Sequence, residues 1–129
     1  MTMIDHFSIV VANYNRSKRW YTGALAPLGY ELKWDGEQGP VRVAGFGPKE
    51  AEQGVLYLIS ATRERGVCEP RPHFCFRADS REAVQAFHQA GLLAGGEDNG
   101  RPGWRDEYGY YAAFVHDPDG YNVEVVCYA

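Results

Sequence analysis

Three residues of types that bind metal ions lie far apart in the sequence: His6, His73 and Glu124. Two neutral imidazoles and one carboxylate form the ligand set called a facial triad, which leaves coordination positions open for a substrate. This set suits Fe(II) and Mn(II), and it also accepts Zn(II), Ni(II) or Co(II). The residue types therefore indicate a divalent-metal site, provided that the fold brings the three side chains together.

An internal repeat relates the two histidines to each other. His6 begins the segment HFSIVVA, and 67 residues later His73 begins the similar segment HFCFRAD. The same offset carries residues 55–59 onto residues 122–126. We therefore predict two copies of one structural unit within a single domain of 129 residues.

Each copy is predicted to begin with a strand, because apolar residues alternate after each histidine, and to continue with a helix. Module one spans about residues 1–62 and module two about residues 70–129. Ser17 is expected to cap the first helix, and Asp79 with Glu82 resembles a capping box before the second. Further strands are expected at residues 41–46, 55–60, 110–116 and 121–127.

Successive strand residues point to opposite faces of a sheet, so the strands divide into two faces. One face is apolar and is expected to lie under the helices. The other carries polar groups at matching points of the repeat: His6, Ser8, Tyr57, His73 and Glu124. A solvated sheet face is one explanation. A curved sheet that closes around a pocket is the other, because buried polar groups need partners, and a metal ion would give them a common one.

Composition excludes several partners. The net charge is −4 and the sequence contains no run of lysine or arginine, so we expect no binding to nucleic acid or to a membrane. We expect no signal peptide, because no basic region precedes an apolar stretch in residues 1–6. The three cysteines have no paired spacing, which indicates a reduced, cytoplasmic location.

The segments HFSIVV (residues 6–11), WY (residues 20–21) and DPDGYNVE (residues 117–124), together with His73, resemble the vicinal oxygen chelate superfamily. This superfamily includes glyoxalase I, methylmalonyl-CoA epimerase, fosfomycin- and bleomycin-resistance proteins, and extradiol dioxygenases. The resemblance implies an α+β fold of two tandem βαβββ modules, whose curved mixed sheet forms a half-barrel cup around a metal. It also implies a homodimer.

By this resemblance, His6, His73 and Glu124 correspond to the metal positions of the superfamily. Tyr57 stands where glyoxalase I carries a glutamate and the epimerase a glutamine. Phe114 stands where extradiol dioxygenases place a tyrosine, ten positions before the metal glutamate. The chain therefore resembles the glyoxalase-like branch, whose reactions are diverse.

Two kinds of function are consistent with these residues. The first is a metal enzyme of the lyase, isomerase or ring-cleaving dioxygenase type, acting on a small substrate with two neighbouring oxygens, with Tyr57 or Ser8 moving a proton. The second is a binding protein of the bleomycin-resistance type that sequesters an aromatic or cationic small molecule. Five aromatic residues support the second: Trp34, Trp104, Tyr108, Tyr110 and Tyr111.

The glycine-rich residues 91–109 are predicted to form a long loop, and residues 99–110 are expected to lie over or beside the metal. Arg105 is the candidate for binding a substrate carboxylate or phosphate. The candidate substrate contacts beside it are Trp104, Tyr108 and Tyr110. Alternatively, this segment is a surface or dimer-interface loop whose arginines form ordinary salt bridges.

Overall fold

The repeat predicted from the sequence appears as two strand-helix-strand-strand-strand units in a computed structural model, which describes residues 3–128. Module one contains β1 (Phe7–Val11), α1 (Tyr14–Leu25), a 3-10 turn (Ala26–Leu28), β2 (Tyr30–Gln38), β3 (Val41–Pro48) and β4 (Leu56–Ser60). Module two contains β5 (His73–Arg77), α2 (Arg81–Leu93), β6 (Glu97–Arg105), β7 (Tyr110–His116) and β8 (Asn122–Cys127). The predicted α+β class is confirmed. The module boundaries near residues 62 and 70 stay a prediction.

The described strands form two four-stranded mixed sheets, one in each module. Their orders are β1-β4-β3-β2 and β5-β8-β7-β6. The first pair of each sheet is parallel and the other pairs are antiparallel. Ser8 pairs with Tyr57, and Cys75 pairs with Glu124, so the offset of 67 residues is kept in this register. Each sheet therefore places the same positions of the repeat side by side.

Apolar residues from both sheets and both helices form one core. Trp20, Tyr21 and Phe87 of the helices are fully buried against strand residues such as Leu58 and Val125. The indole Nε1 of Trp20 donates to the carbonyl of Gly91 at 2.9 Å, which links α1 to the end of α2. The sheet face that the sequence assigned to the helices is therefore the buried one.

Helix α1 begins four residues earlier than expected, and helix α2 begins one residue later. The side chain of Asn13 caps α1 by accepting a hydrogen bond from the Arg16 amide at 3.1 Å, so the assignment of Ser17 is wrong. Ser80 caps α2 through the Ala83 amide at 3.1 Å, so the assignment of the cap to Asp79 is also wrong. In each case the cap is the extended residue that directly precedes the first helical turn.

The prediction of a long loop at residues 91–109 is also wrong. Helix α2 continues to Leu93, and Glu97–Arg105 forms β6, which pairs with β7. The register of this pair shifts twice, at Asp98 to Gly100 and at Gly100 to Gly103. Such irregular edge strands tolerate glycine and proline, so composition alone resembled that of a loop. Within residues 91–109, only residues 94–96 and the turn at residues 106–109, where Gly109 has a φ of 73°, lie outside the helix and the strand.

A buried turn in module two, residues 117–121, binds module one; we call it the inter-module turn. The carboxylate of Asp117 accepts hydrogen bonds from the hydroxyl of Tyr21 and from the amides of Asp119 and Tyr121. Burial raises the pKa of Asp117 above its usual value. Asp119 accepts the Ala12 amide at 3.3 Å. This segment, which carries part of the resemblance, therefore joins the two halves of the fold.

Among residues 3–128, no helix is long and apolar enough to cross a membrane.

Candidate functional site

His73 and Glu124 meet on the polar face of module two. They lie on the adjacent strands β5 and β8, and Nε2 of His73 is 2.8 Å from Oε1 of Glu124. Glu124 is only 2% exposed, whereas half of the His73 side chain is exposed. The second oxygen of Glu124, Oε2, is buried and accepts no hydrogen bond of ordinary length among the described residues, although the Tyr110 hydroxyl and the Cys75 thiol both interact with this carboxylate. A buried carboxylate oxygen without a partner is costly, and a cation would satisfy it.

The environment of Glu124 affects two neighbouring groups on the same face. Burial raises the pKa of the Cys75 thiol to about 12, and the negative charge of Glu124 contributes to this shift. Burial likewise raises the pKa of Tyr110 to about 12, again with a contribution from Glu124. Both groups are therefore neutral near pH 7.

His6 occupies the corresponding position of module one, just before β1. Its Nδ1 lies 2.5 Å from Oδ1 of Asp5, and its ring meets Tyr57 edge-on at 5.6 Å. No three His, Cys, Asp or Glu side chains in residues 3–128 lie close enough together to hold an ion. The structure thus brings His73 and Glu124 together, whereas the ring of His6 contacts Asp5 and Tyr57.

The starts of β1 and β5 are nonetheless neighbours. Phe7 and Phe74, the residues that follow the two histidines, are in edge-to-face contact at 5.2 Å. Because side chains alternate along a strand, His6 and His73 point to the face opposite these phenylalanines. His6 is also well exposed, with 58% of its side chain accessible. Its ring therefore has room to turn.

Tyr57 lies flat on the polar face of module one. Its hydroxyl oxygen accepts a hydrogen bond from the Gly54 amide at 3.1 Å. A Cβ at Gly45 would lie only 2.6 Å from Cε2 of Tyr57, so the ring needs glycine beneath it. Ser8, the other candidate for proton transfer, is exposed and pairs with Tyr57 in the register of β1 and β4. The two candidate groups are therefore adjacent.

An open groove of about 410 Å³ adjoins Tyr57. Trp34 forms part of its wall and is 50% exposed. The indole lies over Gly36, where a Cβ would approach Cζ2 to 2.8 Å. Two aromatic rings, each over a glycine, therefore line this groove. The other lining residues are Lys33, Gln38, Glu52, Gln53 and Gly54.

Arg105 lies on the same face of module two as Glu124, because it pairs with Tyr110 while Phe114 of the same strand pairs with Glu124. Its Nη2 donates to the carbonyls of Arg101 at 2.5 Å and Ala112 at 3.2 Å. The guanidinium also lies over the ring of Phe114, 5.4 Å from its centroid. Part of its hydrogen-bonding capacity is therefore used within its own hairpin.

The other expected substrate contacts divide between the two faces. Tyr110 stacks on Tyr108 at 5.5 Å and meets Tyr128 edge-on at 5.6 Å, which forms an aromatic wall on the Glu124 face. Trp104 pairs with Tyr111 in the register, on the opposite face. The guanidinium of Arg81, which begins α2, lies over both of these rings.

Four residues on the Glu124 face were not chosen as site residues from the sequence: Cys75, Arg77, Phe114 and Tyr128. Phe114 lies beside His73, with their ring centroids 6.1 Å apart. The alternation of strand residues places Cys75 and Arg77 on this face, so that pattern was the available signal. Tyr128 follows the last predicted strand, and only its contacts with Tyr110 and Arg77 reveal it.

Several solved structures share this fold. A glyoxalase/bleomycin resistance protein from Albidiferax ferrireducens T118 superposes with a TM-score of 0.79 at 24% identity, over 98% of this chain and 99% of that one. A glyoxylase/bleomycin resistance protein/dioxygenase domain from Frankia sp. EAN1pec gives a TM-score of 0.76 at 18% identity, over 98% of both chains. A variant of glyoxalase I from Zea mays gives 0.73 at 21% identity, over 95% of this chain and 46% of that one.

The TM-scores of these structures show a shared fold, at sequence identities below 25%. No curated protein matches the sequence closely enough to count as a relative. Residues 3–125 match the family described as the Glyoxalase/Bleomycin resistance protein/Dioxygenase superfamily. This match covers almost the whole chain. The resemblance inferred from the segments HFSIVV, WY and DPDGYNVE, together with His73, is thereby confirmed. This chain belongs to the glyoxalase/bleomycin resistance protein/dioxygenase superfamily.

Proposed function

We propose that this protein is a divalent-metal enzyme that acts on a small substrate with two neighbouring oxygens. The observation that carries the proposal is the Glu124 carboxylate, which is 2% exposed, contacts His73 through Oε1 and leaves Oε2 without a hydrogen bond of ordinary length in the described part of the chain. An imidazole beside such a carboxylate fits a divalent cation, with Fe(II) or Mn(II) favoured and Zn(II), Ni(II) or Co(II) accepted.

His6 is the proposed third ligand. Contact between Phe7 and Phe74 supports this assignment, since it holds the starts of β1 and β5 together. The exposed His6 ring bonds to the neighbouring Asp5, so turning toward an ion exchanges one surface interaction for a metal bond. A homodimer is part of the proposal, because β2 and β6 end their sheets and leave strand edges that a second copy can cover.

When bound, the metal supplies a Lewis acid that stabilises negative charge developing on a substrate oxygen. The residues of the chain do the rest. The hydroxyl oxygen of Tyr57 accepts the Gly54 amide, so its own proton remains available for donation. Ser8 lies beside it in the register as the second proton carrier. The phenyl ring of Phe114, opposite Glu124, offers no proton where dioxygenases have a tyrosine, which favours a lyase or isomerase type.

The first test is metal content, with the ion identified, in protein loaded separately with each of the five metals. We expect one ion per chain. His6→Gln and His73→Gln should each weaken binding at least as much as the roughly 10- to 100-fold that loss of an outer-shell partner costs. His88→Gln is the matched control, because His88 pairs with Asp98 and is almost buried. Equal metal affinity in all three variants would refute the assignment.

A second candidate function is sequestration of a planar aromatic or cationic molecule, without catalysis. The groove beside Trp34 and Tyr57 favours it, because both rings lie over glycines and one is half exposed. A planar cation could stack there next to Glu52.

Binding of 1-methylquinolinium, followed by fluorescence, tests this candidate. Trp34→Ala should lower the affinity about tenfold, the effect of losing a contact of roughly 1.4 kcal/mol. Trp104→Ala is the matched control. Trp104 is similarly exposed, at 47%, but it lies in module two, on the sheet face opposite Glu124. If the two variants bind the probe equally well, the groove is not its site.

A further inference from the structure

We propose that Arg77 binds a carboxylate of the substrate, so that this protein acts on a small organic acid. The inference rests on the proposed function only for the other end of the ligand, which would reach the His73–Glu124 pair. The carboxylate contact itself depends on residues of module two and requires no metal.

The position of Arg77 follows from the register of β5 and β8. Cys75 pairs with Glu124 and Arg77 pairs with Val126, so both β5 residues lie on the face of Glu124. Two residues along a strand correspond to about 7 Å. A ligand held by Arg77 would therefore reach Glu124 across a length of a few carbon atoms.

The guanidinium of Arg77 is exposed and oriented by an aromatic ring. Its Cζ lies 4.7 Å from the centroid of Tyr128, which contacts Tyr110 edge-on. An arginine stacked on a ring keeps its N–H donors in its own plane, where they can bind both oxygens of a carboxylate. No ion pair involves Arg77 among the described residues, so its charge is not already neutralised.

Two comparisons within the chain strengthen the assignment. Arg105, the anion-binding residue expected from the sequence, directs Nη2 at the carbonyls of Arg101 and Ala112. In the repeat, Val10 corresponds to Arg77 and is 7% exposed. The exposed cation is thus specific to module two, the module that holds the His73–Glu124 pair.

The test of Arg77 uses metal-free protein and two probes of the same shape, benzoate and its neutral analogue benzamide. NMR titration should show saturable binding of benzoate, with the Arg77 Nε–H signal shifting. Arg77→Gln should weaken benzoate binding about tenfold and leave benzamide unchanged, and Arg77→Lys should keep part of the affinity. Arg63→Gln is the control for general charge, because Arg63 is exposed in the segment between the modules.

Equal benzoate affinity in wild type and Arg77→Gln would overturn the proposal, as would equal weakening by Arg63→Gln. A second titration uses Mn(II)-loaded protein with 2-oxoglutarate and 2-oxovalerate, which share a chelating end. Arg77→Gln should remove the preference for 2-oxoglutarate, the probe with a distal carboxylate. If no metal binds, the proposed function fails, yet the benzoate titration still decides the role of Arg77.

Discussion

Glu124→Gln is expected to abolish thermal stabilisation by divalent metal. The amide keeps the shape of the side chain, and its oxygen can still accept from His73, but the buried negative charge is lost. At a free-metal concentration a hundredfold above Kd, binding should stabilise wild type by about 2.7 kcal/mol, or roughly 10 °C in Tm for a chain of this size. The variant should show no such shift.

The metal-free proteins provide a second comparison. An uncharged amide is less costly to bury than an unpaired carboxylate oxygen, so Glu124→Gln should be at least as stable as wild type without metal. Glu107→Gln, in an exposed turn, serves as the control and should keep the metal-dependent shift. Differential scanning calorimetry with and without Mn(II) measures all three proteins. An undiminished shift in the Glu124 variant would mean that the ion binds elsewhere.

The second large effect concerns stability. Asp117→Ala should lower the free energy of unfolding by at least about 3 kcal/mol, since each of three unpaired buried groups costs about 1–3 kcal/mol. The substitution leaves three donors without their acceptor: the Tyr21 hydroxyl, which is fully buried, and the amides of Asp119 and Tyr121. Urea unfolding at pH 7 measures the loss.

Asp117→Asn is the matched control, because its carbonyl can accept both amides and its amino group can donate to Tyr21. The stability of this variant relative to wild type should depend on pH, and the sign of that dependence follows from the raised pKa of Asp117. Stability contributed by such a group is fully present below its unfolded pKa, near 3.8, and is lost as the pH rises through the folded pKa. The Asn variant lacks this loss, so it should gain stability relative to wild type as the pH rises above about 4. If Ala and Asn were equally stable, the hydrogen bonds of Asp117 would contribute nothing.

The sequence predicted those parts of the fold that depend on a regular pattern. Alternation identified the buried faces that include Leu58 and Val125, and the 67-residue offset placed Tyr57 and Glu124 at equivalent positions. Both are properties of backbone geometry, which repeats along the chain. The pairing of His73 with Glu124 follows from them, since adjacent strands bring residues of the same face together.

What the sequence could not show depends on partners distant in the chain. β2 and β6 have weak patterns of their own and are specified by pairing with β3 and β7. The hydrogen bonds of Arg105 depend on the register shifts of β6, which a one-dimensional pattern does not contain. The ring of Tyr128 is positioned by contacts with Arg77 and Tyr110.

The inter-module turn has a consequence for the ancestry of this chain. Its carboxylates satisfy donors of the other half, namely the Ala12 amide, the Tyr21 hydroxyl and, at 3.5 Å, the Ser17 hydroxyl. If the two halves descend from one duplicated gene, this exchange makes the fusion difficult to reverse, because either half alone would lose these hydrogen bonds and expose part of the shared apolar core to water. Substitutions at Ser17 or Tyr21 are then tied to changes at Asp117 or Asp119. The two copies are thus free to diverge in the chemistry of their polar faces. The inter-module turn and its partners in module one, in contrast, must change together.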